Sequence, residues 1–180
     1  ERLFDKLERI QKIMQDPAVT SIRIVLNPER MVIREAQRAL TYLQLYGYNV
    51  DAVLINRVFP EAARQGGFEA YLDRQSDYLQ EIHESFEPLP IFQLEHQGQE
   101  VFGLELLAQI GQSLYGDAAF ESVLYEDTPF EFQEAQGGYL ARLKLPFVED
   151  KDFTVNKFGD ELVISLGNQR RAIPLPKFTN

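Results

Sequence analysis

Asn56 is the residue best placed by the sequence to meet a ligand. It closes the run Val50-Asp51-Ala52-Val53-Leu54-Ile55-Asn56, apolar and β-branched enough for a parallel strand buried on both faces. Ligands of open α/β sheets bind beyond the carboxyl ends of the strands, and a carboxamide offers a donor beside an acceptor, the complement of an adenine edge. Asparagine is also a common turn former, so opening the turn toward Arg57 is the plainer reading on spacing alone. Glu29 likewise reads first as a carboxylate complementing a helix dipole, and at best as a ribose or base contact. Glu100, in the loop before Gly103, reads as a helix N-terminal acid. Arg170-Arg171, flanked by apolar residues, reads as the solvated face of an edge strand, and His83 and His96 as surface residues.

Several chemistries are excluded by what the chain lacks. The phosphate-cradling pattern G-x-x-x-x-G-K-[ST] is absent, and neither Gly66-Gly67 nor Gly137-Gly138 is followed by Lys-Ser/Thr. A nucleophile elbow, G-x-S-x-G, is absent too, so no catalytic residue is assigned. With no cysteine and two histidines there is no thiol nucleophile, no disulfide framework and too few ligands for most zinc sites, so no metal ligand is assigned either. A net charge of −10 argues against nucleic acid or an anionic lipid surface as the main partner. No apolar run approaches the ~20 residues of a membrane span. The absence of cysteine suggests a reducing cytosol, hence a cytoplasmic location.

The elements that must hold these residues follow from periodicity. Ile22-Arg23-Ile24-Val25-Leu26 reads as a strand that feeds a helix directly, with Asn27 expected as its cap, Pro28 at its first position and Glu29 in its first turn. Val32, Ile33, Ala36, Ala39, Leu40 and Leu43 form its apolar stripe, and Gly47 ends it by a left-handed turn. The centre of the chain is therefore a β-α-β unit. A helix over about 2–15 precedes it and stops at Asp16-Pro17. A loop at Phe59-Pro60 and Gly66-Gly67, an amphipathic helix through Tyr71 and Phe86, a strand Ile91-Phe92-Gln93-Leu94 and a helix from Gly103 to Tyr115 follow. The chain opens inside a helical pattern without an initiating Met, as a piece of a longer protein does.

After Asp117 the period changes from helical to two. Tyr139 to Leu145, Phe153-Thr154-Val155, Leu162 to Leu166 and Arg170 to Leu175 read as antiparallel strands, with turns at Gly137-Gly138, Gly159-Asp160 and Gly167-Asn168. A unit of some 50 residues is too small to bury much core alone, so it is expected to lean on the first domain or on a partner. The expected division is 1–118 for the α/β part, 119–127 for a linker and 128–180 for a small antiparallel β-sandwich.

Four short stretches, in order, carry a resemblance: Asp16-Pro17-Ala18-Val19-Thr20; Pro28-Glu29-Arg30-Met31 with Glu35 and Arg38; Val53-Leu54-Ile55-Asn56-Arg57; and Glu100-Val101-Phe102-Gly103-Leu104. Over about residues 1–116 the chain resembles the C-terminal half of an ArsA-type anion-transporting ATPase, the family that includes the guided-entry ATPase for tail-anchored membrane proteins. The resemblance implies a partial P-loop-type parallel sheet with flanking helices that supplies the base side of an ATP or ADP pocket. The missing P-loop half would bring the phosphate and magnesium ligands. Asn56 then matches the family's asparagine at the adenine, and Glu29 the acid opening the preceding helix. Gln93 stands where relatives carry the proline that borders adenine, a departure that alters the base pocket. Glu100 falls in the last matching motif. No cysteines lie between Arg57 and Phe86, which weakens both arsenite binding and a zinc-bridged dimer. The tail, from Gly138-Tyr139-Leu140 through Asp160-Glu161-Leu162 to Pro174-Leu175-Pro176, resembles the small α-crystallin-like sandwich appended to some bacterial and plastid members.

The expected function is thus the C-terminal portion of an ArsA-like ATPase, inactive in hydrolysis by itself. ATP-driven handling of an anion or membrane-protein client, a homodimer and a client protein are its implied context. The alternative is a non-enzymatic binding or chaperone-like protein on the same scaffold.

Overall fold

The computed structural model describes residues 3–135 and 138–175. In chain order its first part comprises α1 (Leu3–Gln15), β1 (Ile22–Leu26), α2 (Arg30–Leu45), β2 (Val50–Val58), a 3-10 turn (Glu61–Gly66), α3 (Glu69–Phe86), β3 (Ile91–Glu95) and α4 (Leu104–Tyr115). The three strands form one parallel sheet in the order β1-β2-β3. Alternation in β1 is sharp: Ile24 and Leu26 are buried while Val25 between them is 61% exposed. Leu26 is paired with Ile55 and Ile24 with Val53, and these four pack beneath Ile33, Ala36 and Leu40 of α2 and Ile82 and Phe86 of α3. Each of the buried Ile, Leu, Val and Phe side chains contributes about 1.5–3 kcal/mol. The central strand is buried through Val50, Asp51, Ala52 and Val53, as the unbroken apolar run requires. In α1, by contrast, no residue is buried, and its stripe of Leu3, Leu7 and Ile10 is exposed.

Two local expectations are corrected. The helix after β1 begins at Arg30, with Glu29 as an extended N-cap residue that makes no side-chain cap. Asn27 does not cap it. The Asn27 carbonyl accepts the Glu29 N–H at 2.8 Å, so that amide is spent on the strand-to-helix turn, and the first helical bond is Ile33 N–H to the Glu29 carbonyl, 2.9 Å. Pro28, buried, makes the turn instead of opening the helix. At the other end Gly47 (φ 78°) does close α2: its N–H reaches the Gln44 carbonyl and that of Tyr48 reaches Leu43, the paired bonds of a left-handed helix stop.

The second part carries β4 (Phe130–Ala135), β5 (Gly138–Leu143), β6 (Phe153–Phe158), β7 (Glu161–Leu166) and β8 (Gln169–Pro174). β4 pairs antiparallel with β5, and β6, β7 and β8 form a three-stranded antiparallel sheet. The chain is therefore an α/β parallel sheet with flanking helices followed by small antiparallel sheets. β4 is an addition to the strands read from the sequence, where only Phe130-x-Phe132 hints at it. Gly137, half of the expected Gly137-Gly138 turn, and Pro176 of the tail lie outside the described residues.

The core of this second part is shared. Ile164, Leu166 and Ile173 cluster with Leu45, fully buried in the last turn of α2, and Tyr42 and Tyr46 pack against them. Polar ties run along the same joint. The Thr41 hydroxyl lies 2.7 Å from the Pro146 carbonyl, and Tyr46 Oη donates to Gln169 Oε1 at 2.8 Å. Arg171 donates to the Leu45 carbonyl at the end of α2 and lies over the Phe130 ring, and burial pulls its guanidinium below the usual arginine range. A cation there also meets the negative end of the helix dipole.

Candidate functional site

The sheet's two ends differ in how completely their polar groups are engaged. Near the amino ends, where the register shifts between Ile22 and Arg23, Asp51 is wholly buried. Its carboxylate accepts Arg23 Nε at 3.1 Å and Arg23 Nη2 at 3.2 Å, and also the Leu124 N–H at 3.2 Å. Arg23 donates further to the Ser122 carbonyl at 3.1 Å and to Tyr115 Oη at 3.3 Å, and the hydrogen bond to Asp51 is the main reason its pKa is raised. Both carboxylate oxygens and all three guanidinium nitrogens are thus engaged within the fold, as a buried ion pair requires.

At the carboxyl ends the picture changes. Asn56 lies where the β2–β3 register shifts between Ile55 and Val58, and Arg57 beside it has φ 58°, an uncommon value for a residue with a side chain. Such a bulge turns side chains away from the regular ladder, and bulges recur next to binding sites. Asn56 is half-buried, and its Oδ1 accepts the Arg57 N–H at 2.9 Å. Its amide nitrogen has no hydrogen-bond partner among the described residues, and Oδ1 keeps a second lone pair. A donor and an acceptor thus remain available, which fits an adenine edge.

The other sequence candidates lie around the same rim by connection, without being joined by hydrogen bonds. Glu29 follows β1, whose last residue Leu26 pairs with Ile55; it is exposed, and Oε1 accepts Asn27 Nδ2 at 3.4 Å. Gln93, the register partner of Ile55, is exposed and bonded to His83 Nε2 of α3 at 2.9 Å. Glu100 is exposed in the loop between β3 and α4.

Residues that spacing did not single out complete the rim. Phe59 directly follows β2, and buried Gln75 of α3 holds both its backbone groups, accepting its N–H at 2.8 Å and donating to its carbonyl at 3.0 Å. His96 directly follows β3, its N–H bonded to the Val58 carbonyl at 2.8 Å. The two rings stack, with centroids 5.1 Å apart and planes 11° from parallel. The signal available in the sequence was an aromatic placed just beyond each of two adjacent strand ends.

The arrangement is that of an open α/β sheet with its uncommitted polar groups at the carboxyl edge, the class of fold that binds ligands there. The chain belongs to the anion-transporting ATPase family, whose family model matches residues 1–116, and a model described as an HSP20-like domain found in ArsA matches residues 136–179. It is 37% identical over 181 residues to the putative arsenical pump-driving ATPase 1 of Aquifex aeolicus, covering 98% of this chain and 46% of that protein. The putative arsenical pump-driving ATPases of Chlorobaculum tepidum and Prosthecochloris vibrioformis are each 39% identical over 176 residues, covering 98% of this chain and 44% of theirs. The chain thus spans less than half the length of these relatives. No helix among the described residues is long and apolar enough to cross a membrane.

Proposed function

We propose that this chain is the base-binding portion of an ArsA-type ATPase. Asn56 reads the adenine edge, and Glu29, Gln93 and Glu100 lie around the nucleotide. The single observation that carries the reading is the half-buried carboxamide of Asn56, at a register irregularity near the carboxyl end of the central strand, with its amide nitrogen unpaired among the described residues. ATP with Mg2+ is the cofactor, and the phosphate and magnesium ligands belong to the rest of the protein. The division at 1–118, 119–127 and 128–180 separates the nucleotide part from the chaperone-like β module, which meets a client or a sister subunit of a homodimer. The setting is cytoplasmic, and the client is an anion or a membrane protein.

The test is steady-state ATP hydrolysis by the full-length protein. Asn56→Ala should raise KM for ATP about tenfold, as the loss of about 1.4 kcal/mol in hydrogen bonding to the base would, with kcat little changed. An unaltered KM overturns the assignment of Asn56, and no turnover in the full-length protein overturns the ATPase reading.

A further inference from the structure

The aromatic stack beyond β2 and β3 is built more rigidly than a loop decoration needs. Phe59 is clamped at both backbone groups by Gln75. The Phe68 ring stacks with it at 6.2 Å, and the Tyr71 ring meets it edge-on at 5.1 Å. His96 continues the stack at 5.1 Å, and its Nδ1 accepts the Gly98 N–H at 3.0 Å, which sets the ring's orientation and leaves the neutral imidazole with its proton on Nε2. One side of this imidazole is covered by Phe59, yet His96 as a whole is exposed. A planar ring backed by another aromatic, oriented through a hydrogen bond and open to solvent is a stacking surface.

What would stack there follows from its neighbour. The His96 N–H is bonded to the carbonyl of Val58, two residues beyond Asn56 on β2, so the ring and the amide, unpaired among the described residues, stand at the same carboxyl end of the sheet. A carboxamide recognises the edge of a heterocycle, and a flat ring recognises its face. A purine offers both, and stacking on an aromatic side chain contributes about 1–3 kcal/mol per base, as much as the edge contacts or more.

We propose that the exposed face of His96, backed by Phe59, stacks the adenine ring of the bound nucleotide while Asn56 reads its edge. This rests on the nucleotide-binding reading above and adds a residue to it. Gln75 acts as a positioning residue, since both of its side-chain hydrogen bonds go to the Phe59 backbone.

The experiment is ADP titration of the full-length protein by calorimetry, with thermal unfolding followed on the same samples. His96→Ala should weaken ADP binding about tenfold while lowering the melting temperature only slightly, because the residue is exposed and loses one ring contact and one turn hydrogen bond. His96→Phe should restore affinity to within about twofold, since only a flat π face is needed, whereas His96→Leu should not. If the wild-type protein binds ADP and His96→Ala binds it equally well, the stack is overturned and the nucleotide reading stands. Rescue by His96→Leu as good as by His96→Phe would also overturn it, by showing that bulk and not a ring face matters. Failure of the wild-type protein to bind ADP overturns both.

Discussion

The two ends of the parallel sheet are made from the same three strands and treat their polar residues in opposite ways. At the amino ends, Asp51 accepts three hydrogen bonds, and Arg23 is shared among a carboxylate, a carbonyl and a phenol. At the carboxyl ends, Asn56 keeps a donor unpaired among the described residues, and Glu29 and Glu100 stand in solvent. Burial explains the difference. A charge with no access to water must be fully partnered, whereas a half-exposed amide can wait for a ligand at little cost. A polar group saturated by the fold serves the fold; the half-exposed amide left open is the one proposed to meet a ligand.

That contrast predicts a graded set of effects. Asp51→Ala should cost the most, about 3–5 kcal/mol in chemical denaturation, because it strips Arg23 of its buried partner. Gln75→Ala lies between the two ends. It should cost about 1–3 kcal/mol by leaving the backbone groups of Phe59 unpaired, and faster hydrogen exchange at the Phe59 amide would reveal it. Asn56→Ala should change stability by no more than about 0.5 kcal/mol, since the fold uses only its bond to the next residue. A loss comparable to that of Asp51→Ala would place Asn56 with the structural group and break the comparison.

The smallest effect concerns the segment leading to the tail. Asp127 pairs with Lys144 and, chiefly through that hydrogen bond, holds the ammonium above the usual lysine range. A raised folded pKa means that the contribution is fully present below the ordinary lysine value and is lost as pH rises through the raised one. The lysine side chain is half-exposed, so solvent screening limits the contribution to about 0.5 kcal/mol. Lys144→Met should therefore lower stability slightly at neutral pH, with the difference vanishing at strongly alkaline pH in thermal melts.

Much of this fold was legible in the sequence because the β-α-β unit declares itself locally: an apolar run, a helical stripe ended by Gly47, then a second apolar run. The start of α2 was displaced because Asn27, Pro28 and Glu29 each suit a helix N-terminus, and only the turn bond from Glu29 to Asn27 decides which residue begins it. β4 was missed because the alternation Phe130-Glu131-Phe132-Gln133 stops at Glu134, leaving a run too short to stand out. At the candidate site, the sequence reading ended the strand at Asn56, whereas β2 runs on to Val58 and Asn56 sits at the register irregularity within it. The His96–Phe59 stack and the Arg23–Asp51 pair were not legible, since their partners lie 37 and 28 positions apart, and no periodicity links residues that meet only after strands align. The reliance of the β tail on α2 was foreseen from its size, and Leu45 is where it occurs.

Asn56 is proposed to stay open for the base of a nucleotide. ADP titrated calorimetrically into the full-length protein and into its Asn56→Ala variant tests this most directly. Roughly tenfold weaker binding is expected of the variant, which should melt at the wild-type temperature. Equal affinity in the two proteins would contradict it.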